Sequence, residues 1–198
     1  MRLILVRHAA TDWSVIGRHT GRTDIPLNFA GREQTQTMLG LFKFLITDAP
    51  EPVRVISSPL ERAMETARIV VDGQYDITTS PDLLEMNYGD YEGLTPAEIR
   101  GKNPNWDIWS DGCPGGESID DVGRRADNFL ASVNDEATTV VFAHGHIVRV
   151  LAALAINLPS HSGQIFTLDA GAFSVIGDVR GKRVLMYWNL TTGIAEFL

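Results

Sequence analysis

An apolar run, Leu3-Ile4-Leu5-Val6, stops abruptly at Arg7 and His8. The same grammar returns far downstream, where Val140-Val141-Phe142-Ala143 runs into His144-Gly145-His146. Continuous apolar runs this short read as buried strands. Buried strands that open into polar loops are where open α/β sheets place their ligands. Two histidines delivered at two strand ends can therefore meet in one crevice. An imidazole set beside arginines suits attack on an anion, which points to phosphate chemistry.

The remaining pattern fits such a sheet. A glycine-punctuated loop from Gly17 to Leu27 follows the first strand, and a helix is expected after Gly31. Its Met38, Leu39, Phe42 and Leu45 are spaced to face a core. Val53-Arg54-Val55-Ile56 reads as a second strand, and Ser57-Ser58-Pro59 as a helix entry with serine capping and proline in the first turn. Thr95-Pro96-Ala97-Glu98 predicts a capping box opening a short helix that Pro104 ends. Ser118 predicts the cap of another helix, whose Ile119, Val122, Ala126, Phe129 and Val133 form one stripe. A nearly all-apolar helix is expected from Ile147 to Leu158. Val175-Ile176 and Val184-Leu185-Met186-Tyr187 read as late strands joined at Arg180-Gly181-Lys182, a hairpin. Strands alternating with helices predict an α/β fold: a three-layer sandwich with a mixed, mainly parallel sheet and helices on both faces. One domain is expected over residues 1–198.

Composition narrows the partners. With 44% hydrophobic and 21% charged residues the chain has material for a real core. A formal net charge of −8 argues against a broad nucleic-acid footprint. It also makes the local cluster of Arg7, Arg18, Arg22 and Arg62 more telling. The single cysteine, Cys113, excludes an internal disulfide and reads as structural. No apolar stretch approaches the roughly 18–20 residues that span a bilayer, and the run before Arg7 is too short for a signal peptide. The expectation is a cytoplasmic protein with no membrane or nucleic-acid partner; the oligomeric state is not legible.

Three strand-to-helix junctions carry complementary chemistry: Arg7 and His8, then Ser57, Ser58 and Arg62, then His144 and His146. A phosphate at their confluence would meet guanidinium forks, imidazoles and helix amides together. The segments Leu5-Val6-Arg7-His8, Gly21 to Leu27, Ser57 to Ala63 with Thr66-Ala67, Glu85 with Tyr88 to Gly93, and His144-Gly145 occur in one order. As that ordered set they resemble the histidine phosphatase superfamily, the group that contains cofactor-dependent phosphoglycerate mutases. Trp106 to Cys113, Ala143 to His146 and Asp169-Ala170-Gly171 further resemble the branch with sedoheptulose bisphosphatase and some bacterial acid phosphatases.

The resemblance implies a phosphoglycerate mutase-like fold and a set of roles. His8 matches the nucleophile that becomes phosphohistidine, and Arg7, Arg62 and His144 match the phosphate pocket. Glu85 matches the proton donor. Substrate contacts are expected from Ser14, Arg18, His19, Thr20, Gly21, Tyr88 and His146, with no metal and no cofactor. The implied activity is hydrolysis of small phosphorylated sugars or related metabolites, with mutase-type phosphoryl transfer as an alternative. Departures fall at Ala9 and Ala10, where relatives commonly carry glycine and glutamate. Ser14 stands where many have asparagine, although the narrower branch also tends to serine.

Plainer readings stay open at several positions. His146 either lines the pocket or hydrogen-bonds a loop, and Arg18, His19 and Arg22 either face substrate or form a solvated loop face. Trp106 and Trp109 read as core residues. Two other functional classes remain: a metal-dependent hydrolase using His8, His144 and His146 with Asp12, and a non-catalytic binder of phosphorylated ligands.

Overall fold

The computed structural model describes residues 2–133 and 137–191. Its sheet contains β1 (Arg2–Arg7), β2 (Val53–Ser57), β3 (Ile77–Thr79), β4 (Thr138–Ala143), β5 (Phe173–Val179) and β6 (Lys182–Leu190), in the order β3-β2-β4-β1-β5-β6. The first four in that order run parallel, while β5 and β6 are antiparallel additions at one side. Arg7 stands opposite Ala143 across β1 and β4, so these strands end flush. That register brings His8 and His144 side by side; the His8 amide donates to the Ala143 carbonyl at 3.0 Å.

Seven α-helices connect and cover the strands: α1 (Asp12–Val15), α2 (Phe29–Ile46), α3 (Glu61–Val71), α4 (Pro96–Lys102), α5 (Ile108–Asp111), α6 (Ile119–Ser132) and α7 (Gly145–Ala155) among the described residues. Side chains alternate across each strand. Ile4, Val6, Val140 and Phe142 pack with Met38 and Phe42 of α2 and Val70 of α3. Leu3, Leu5, Val141 and Ala143 pack with Val122 and Phe129 of α6 and Ile147 and Leu151 of α7. Helices thus lie on both faces, as expected. Strand stretches buried on both faces favour apolar residues at successive positions, which is why residues 3–6 of β1 and 140–143 of β4 read as unbroken runs.

Several boundaries differ from expectation for physical reasons. Helix α2 starts before Gly31, capped by Asn28, whose side chain accepts from the Gly31 amide at 2.8 Å. A side chain at Gly31 would sit 2.1 Å from the Ala10 carbonyl, so only glycine lets α2 approach the loop after His8 this closely. Leu41 is buried there, whereas Leu39 is only half-buried. Helix α3 starts at Glu61 rather than at the serine pair, with Leu60 at its cap and no side-chain cap bond. The serine hydroxyls are used elsewhere, Ser57 Oγ on the Ser58 carbonyl and Ser58 Oγ against His144 Nε2. Helix α7 begins at Gly145 and ends at Ala155, earlier than expected at both ends. Val133 lies just past α6 as its C-cap. The capping boxes at Thr95 and Ser118 are present, and positive φ at Arg180 and Gly181 makes the two-residue turn of the late hairpin.

Candidate active site

His8 follows β1 and is 4% exposed. Its Nδ1 lies 2.7 Å from the Ala9 carbonyl. A carbonyl only accepts, so Nδ1 carries the ring proton and Nε2 keeps its lone pair. Burial first, then the Arg62 and Arg7 guanidiniums, holds the imidazole well below its ordinary range and therefore neutral.

The His144 ring stands 5.2 Å from that of His8, centroid to centroid. Arg62 fixes its tautomer. This fully buried arginine, the second residue of α3, donates from Nε to His144 Nδ1 at 3.1 Å. An arginine Nε can only donate, so the His144 proton sits on Nε2, 2.7 Å from Ser58 Oγ. The two rings are thus set in opposite tautomers. The rest of the Arg62 guanidinium is spent on the Thr23 carbonyl at 3.1 Å, Thr20 at 3.0 Å and Gly21 at 2.9 Å. Arg62 therefore braces the glycine loop and orients His144.

Glu85, also 4% exposed, sits against the N-terminus of α7. Its Oε1 accepts from the amides of Met86 at 2.9 Å and Ile147 at 3.2 Å, and Oε2 from that of His146 at 3.1 Å. Helix N-termini favour negative groups in this way. Arg7 donates through Nη1 to the Leu168 carbonyl, while its Nε is buried without a hydrogen-bond partner.

A cavity of about 180 Å³ opens at the carboxyl ends of the parallel strands. Of the residues singled out in the sequence, Arg7, His8, Ser14, Arg18, His19, Thr20, Glu85, Tyr88 and His146 line it. Arg62 and His144 sit behind that lining. Gly21 does not reach it: a Cβ there would lie 2.6 Å from the Met86 carbonyl, and its amide donates to Glu92 at 2.8 Å. Arg22 pairs with Glu117 at 3.5 Å. Arg18 is held by the Gly93 carbonyl and by Glu98 at 3.2 Å. His146 meets both open readings, lining the cavity and bonding through Nδ1 to the Tyr88 hydroxyl at 2.8 Å. His19 stacks on Tyr88 at 4.5 Å with its Nε2 buried and unpartnered.

Gly17, Gly145, Arg149 and Leu168 also line the cavity, and none of them was assigned to the site from the sequence. The one charged residue in the otherwise apolar stretch of α7 was the signal that could have found Arg149. Trp106 and Trp109 are buried, as expected. Burial pushes the Cys113 thiol up to about 12, which keeps it protonated and unreactive. Among the described residues, no group of three His, Cys, Asp or Glu side chains is arranged to hold a metal ion.

Burial of the imidazoles has a consequence for stability. His8, His144 and His146 all lie well below 6.5, by burial first and then by neighbouring charges, chiefly guanidiniums. As pH falls through the ordinary histidine value the unfolded chain takes up these protons and the native protein does not. Stability is thus complete above that value and is lost as pH falls toward the depressed native values. Three protons at about 1.4 kcal/mol per pH unit each give a slope of roughly 2 kcal/mol per unit at pH 6.5, where the unfolded rings are half protonated, rising toward roughly 4 about one unit lower. Urea unfolding at stepped pH should show it. A flat profile down to about pH 5.5 would mean that these rings protonate in the native state.

Fold and cavity together define an α/β protein with an arginine- and histidine-lined crevice at the carboxyl ends of its parallel strands. The chain belongs to the histidine phosphatase superfamily (branch 1), whose family model matches residues 3–191. It is 37% identical to an acid phosphatase of Mycobacterium tuberculosis, over 96% of this chain and 93% of that one. It is 34% identical to the sedoheptulose 1,7-bisphosphatase of Saccharomyces cerevisiae, over 79% of this chain and 68% of the relative. A solved structure of an open reading frame from Mycobacterium tuberculosis superposes with a TM-score of 0.89 at 34% identity, over 96% of this chain and 98% of that one. The superfamily, the fold and the phosphatase activity expected from the ordered motifs are those of these relatives. No helix among the described residues is long and apolar enough to cross a membrane.

Proposed function

We propose that the protein hydrolyses small phosphorylated metabolites through a phosphohistidine at His8. The observation that carries this reading is the His8 tautomer, with Nδ1 pinned to the Ala9 carbonyl and Nε2 free beside the cavity. The Nε2 lone pair attacks phosphorus as the P–O bond to the leaving group breaks. Arg7, whose buried Nε lacks a partner, supplies a donor to the equatorial oxygens. Losing one such donor typically costs about 3–4 kcal/mol of transition-state stabilisation. Glu85 Oε2, with a single amide bond, gives its proton to the departing alkoxide. Water then attacks the phosphohistidine, Glu85 takes a proton from it, and the N–P bond breaks to release phosphate.

Arg62 and His144 act by positioning and by charge: the arginine sets the ring, and its cation faces the developing negative charge. The compact, polar cavity suits a small substrate. The names of the relatives, acid phosphatase and sedoheptulose 1,7-bisphosphatase, lie in the same range. A cytoplasmic location fits a chain whose single cysteine is a buried thiol.

The test is a hydrolysis screen across phosphorylated sugars, glycerates, nucleotides and phosphopeptides, run with and without chelator. Small phosphorylated sugars should turn over fastest, unaffected by chelator. Equal turnover of a folded phosphoprotein would contradict the substrate class. Efficient isomerisation of 3-phosphoglycerate would point to mutase-type transfer, and chelator-sensitive activity restored by zinc to a metal-dependent hydrolase.

A further inference from the structure

Arg149, like Arg7, differs from the other arginines around the glycine loop and cavity in making no ion pair among the described residues. Arg18, Arg22 and Arg62 each face a carboxylate, on Glu98, Glu117 and Asp24. Arg149 has no carboxylate within ion-pair range among the described residues, yet it lines the same cavity as His8 and Arg7. Its guanidinium is held in place all the same. Nε donates to the Gly163 carbonyl at 3.0 Å and Nη2 to that of Gln164 at 3.1 Å, and the group lies 4.5 Å over the Trp109 ring. Nη1 takes part in neither bond.

A half-buried cation that is oriented by carbonyls and an aromatic face, with one terminal nitrogen uncommitted, is preorganised for an anion. Fixing it beforehand lowers the entropy lost on binding. The wall of the cavity between it and the loop is polar as well: the Tyr88 hydroxyl bonds to His146, and the buried His19 Nε2 has no partner. Such groups suit hydroxyls.

We infer that Arg149 is a specificity-determining residue that receives a second anionic group, phosphate or carboxylate, on a short polyhydroxylated substrate whose scissile phosphate sits at His8 and Arg7; this rests on the phosphatase reading above. The loop cations that the sequence left open as substrate-facing, Arg18 and Arg22, are already paired.

Calorimetric binding tests this without requiring turnover. The probes are a short polyol with a phosphonate at each end, the same polyol with one phosphonate and a terminal alcohol, and its phosphonate–carboxylate analogue. The wild-type protein should bind the two doubly anionic probes more tightly than the alcohol, and their order tells phosphate from carboxylate. Arg149→Gln should shrink that preference by about 30-fold, the scale of a charge-assisted hydrogen bond. Arg149→Lys, which keeps the charge without the fork, should restore part of it, and Arg18→Gln should leave the preference in place. Three results overturn the inference: no wild-type preference, equal weakening of all probes by Arg149→Gln, or a preference that collapses with Arg18→Gln. A preference that depends on Arg149 in a protein without phosphatase turnover would uphold the site and remove the hydrolytic reading.

Discussion

His8→Ala and His8→Gln should abolish turnover, by about 10⁴-fold or more, because a nucleophile lost from a cooperating set removes the whole covalent route. Both variants should still bind phosphate, since Arg7 remains. The informative readout is the trapped intermediate. Wild-type protein quenched during turnover of a labelled phosphomonoester should carry label that survives base and is lost in acid, the behaviour of a phosphoramidate and the reverse of an acyl phosphate. Neither variant should trap label. Label retained on His8→Ala would move the nucleophile elsewhere, and His144 would be the next group to test, 5.2 Å away. That ring is a weaker candidate on geometry. Its Nδ1 lone pair is taken by Arg62 Nε and its Nε2 carries the proton. His8 alone of the pair keeps a lone pair beside the cavity.

The parts of this site that were legible in the sequence follow from burial. Residues 3–6 of β1 and 140–143 of β4 are covered on both faces, so they are apolar without interruption and the polar side chains that follow them, Arg7 and His144, mark where they end. Strand β3 is a three-residue edge with Ile77 half-buried and both threonines exposed, and it left no pattern to read. The start of α3 was misplaced because Ser57 and Ser58 look like local caps, while the Ser57 hydroxyl turns to the adjacent Ser58 carbonyl and the Ser58 hydroxyl to His144, a tertiary bond that local spacing does not encode. Arg62 reads by charge as a phosphate fork. In the fold its donors are divided among the carbonyls of Thr20, Gly21 and Thr23 and the ring of His144, contacts made about 40 or more positions away. Arg149 was hidden by periodicity, since one polar residue in an apolar helix reads as a surface position. Only the approach of Trp109, Gly163 and Gln164 turns it inward.

Glu85→Gln separates proton delivery from positioning by leaving group. The substitution keeps the shape, and the amide oxygen can still accept from the Met86 and Ile147 amides as Oε1 does, although the side-chain nitrogen then replaces the acceptor for the His146 amide. It cannot deliver a proton by the same route. A sugar alkoxide is a poor leaving group and depends on that proton, whereas nitrophenolate departs with little help. Single-turnover phosphorylation of His8 by a sugar phosphate should therefore slow by about 10²–10⁴-fold, the usual range for a general acid. With nitrophenyl phosphate the loss should stay within about tenfold. Steady-state rates would blur this contrast, because the same carboxylate is proposed to activate water in the second step, and dephosphorylation would then limit both substrates alike. Equal losses in the first step would instead make Glu85 a brace for the start of α7, with the acid elsewhere along the cavity wall. Tyr88 would be the first alternative to test there, since burial raises its hydroxyl well above the usual phenol range and so keeps its proton in place.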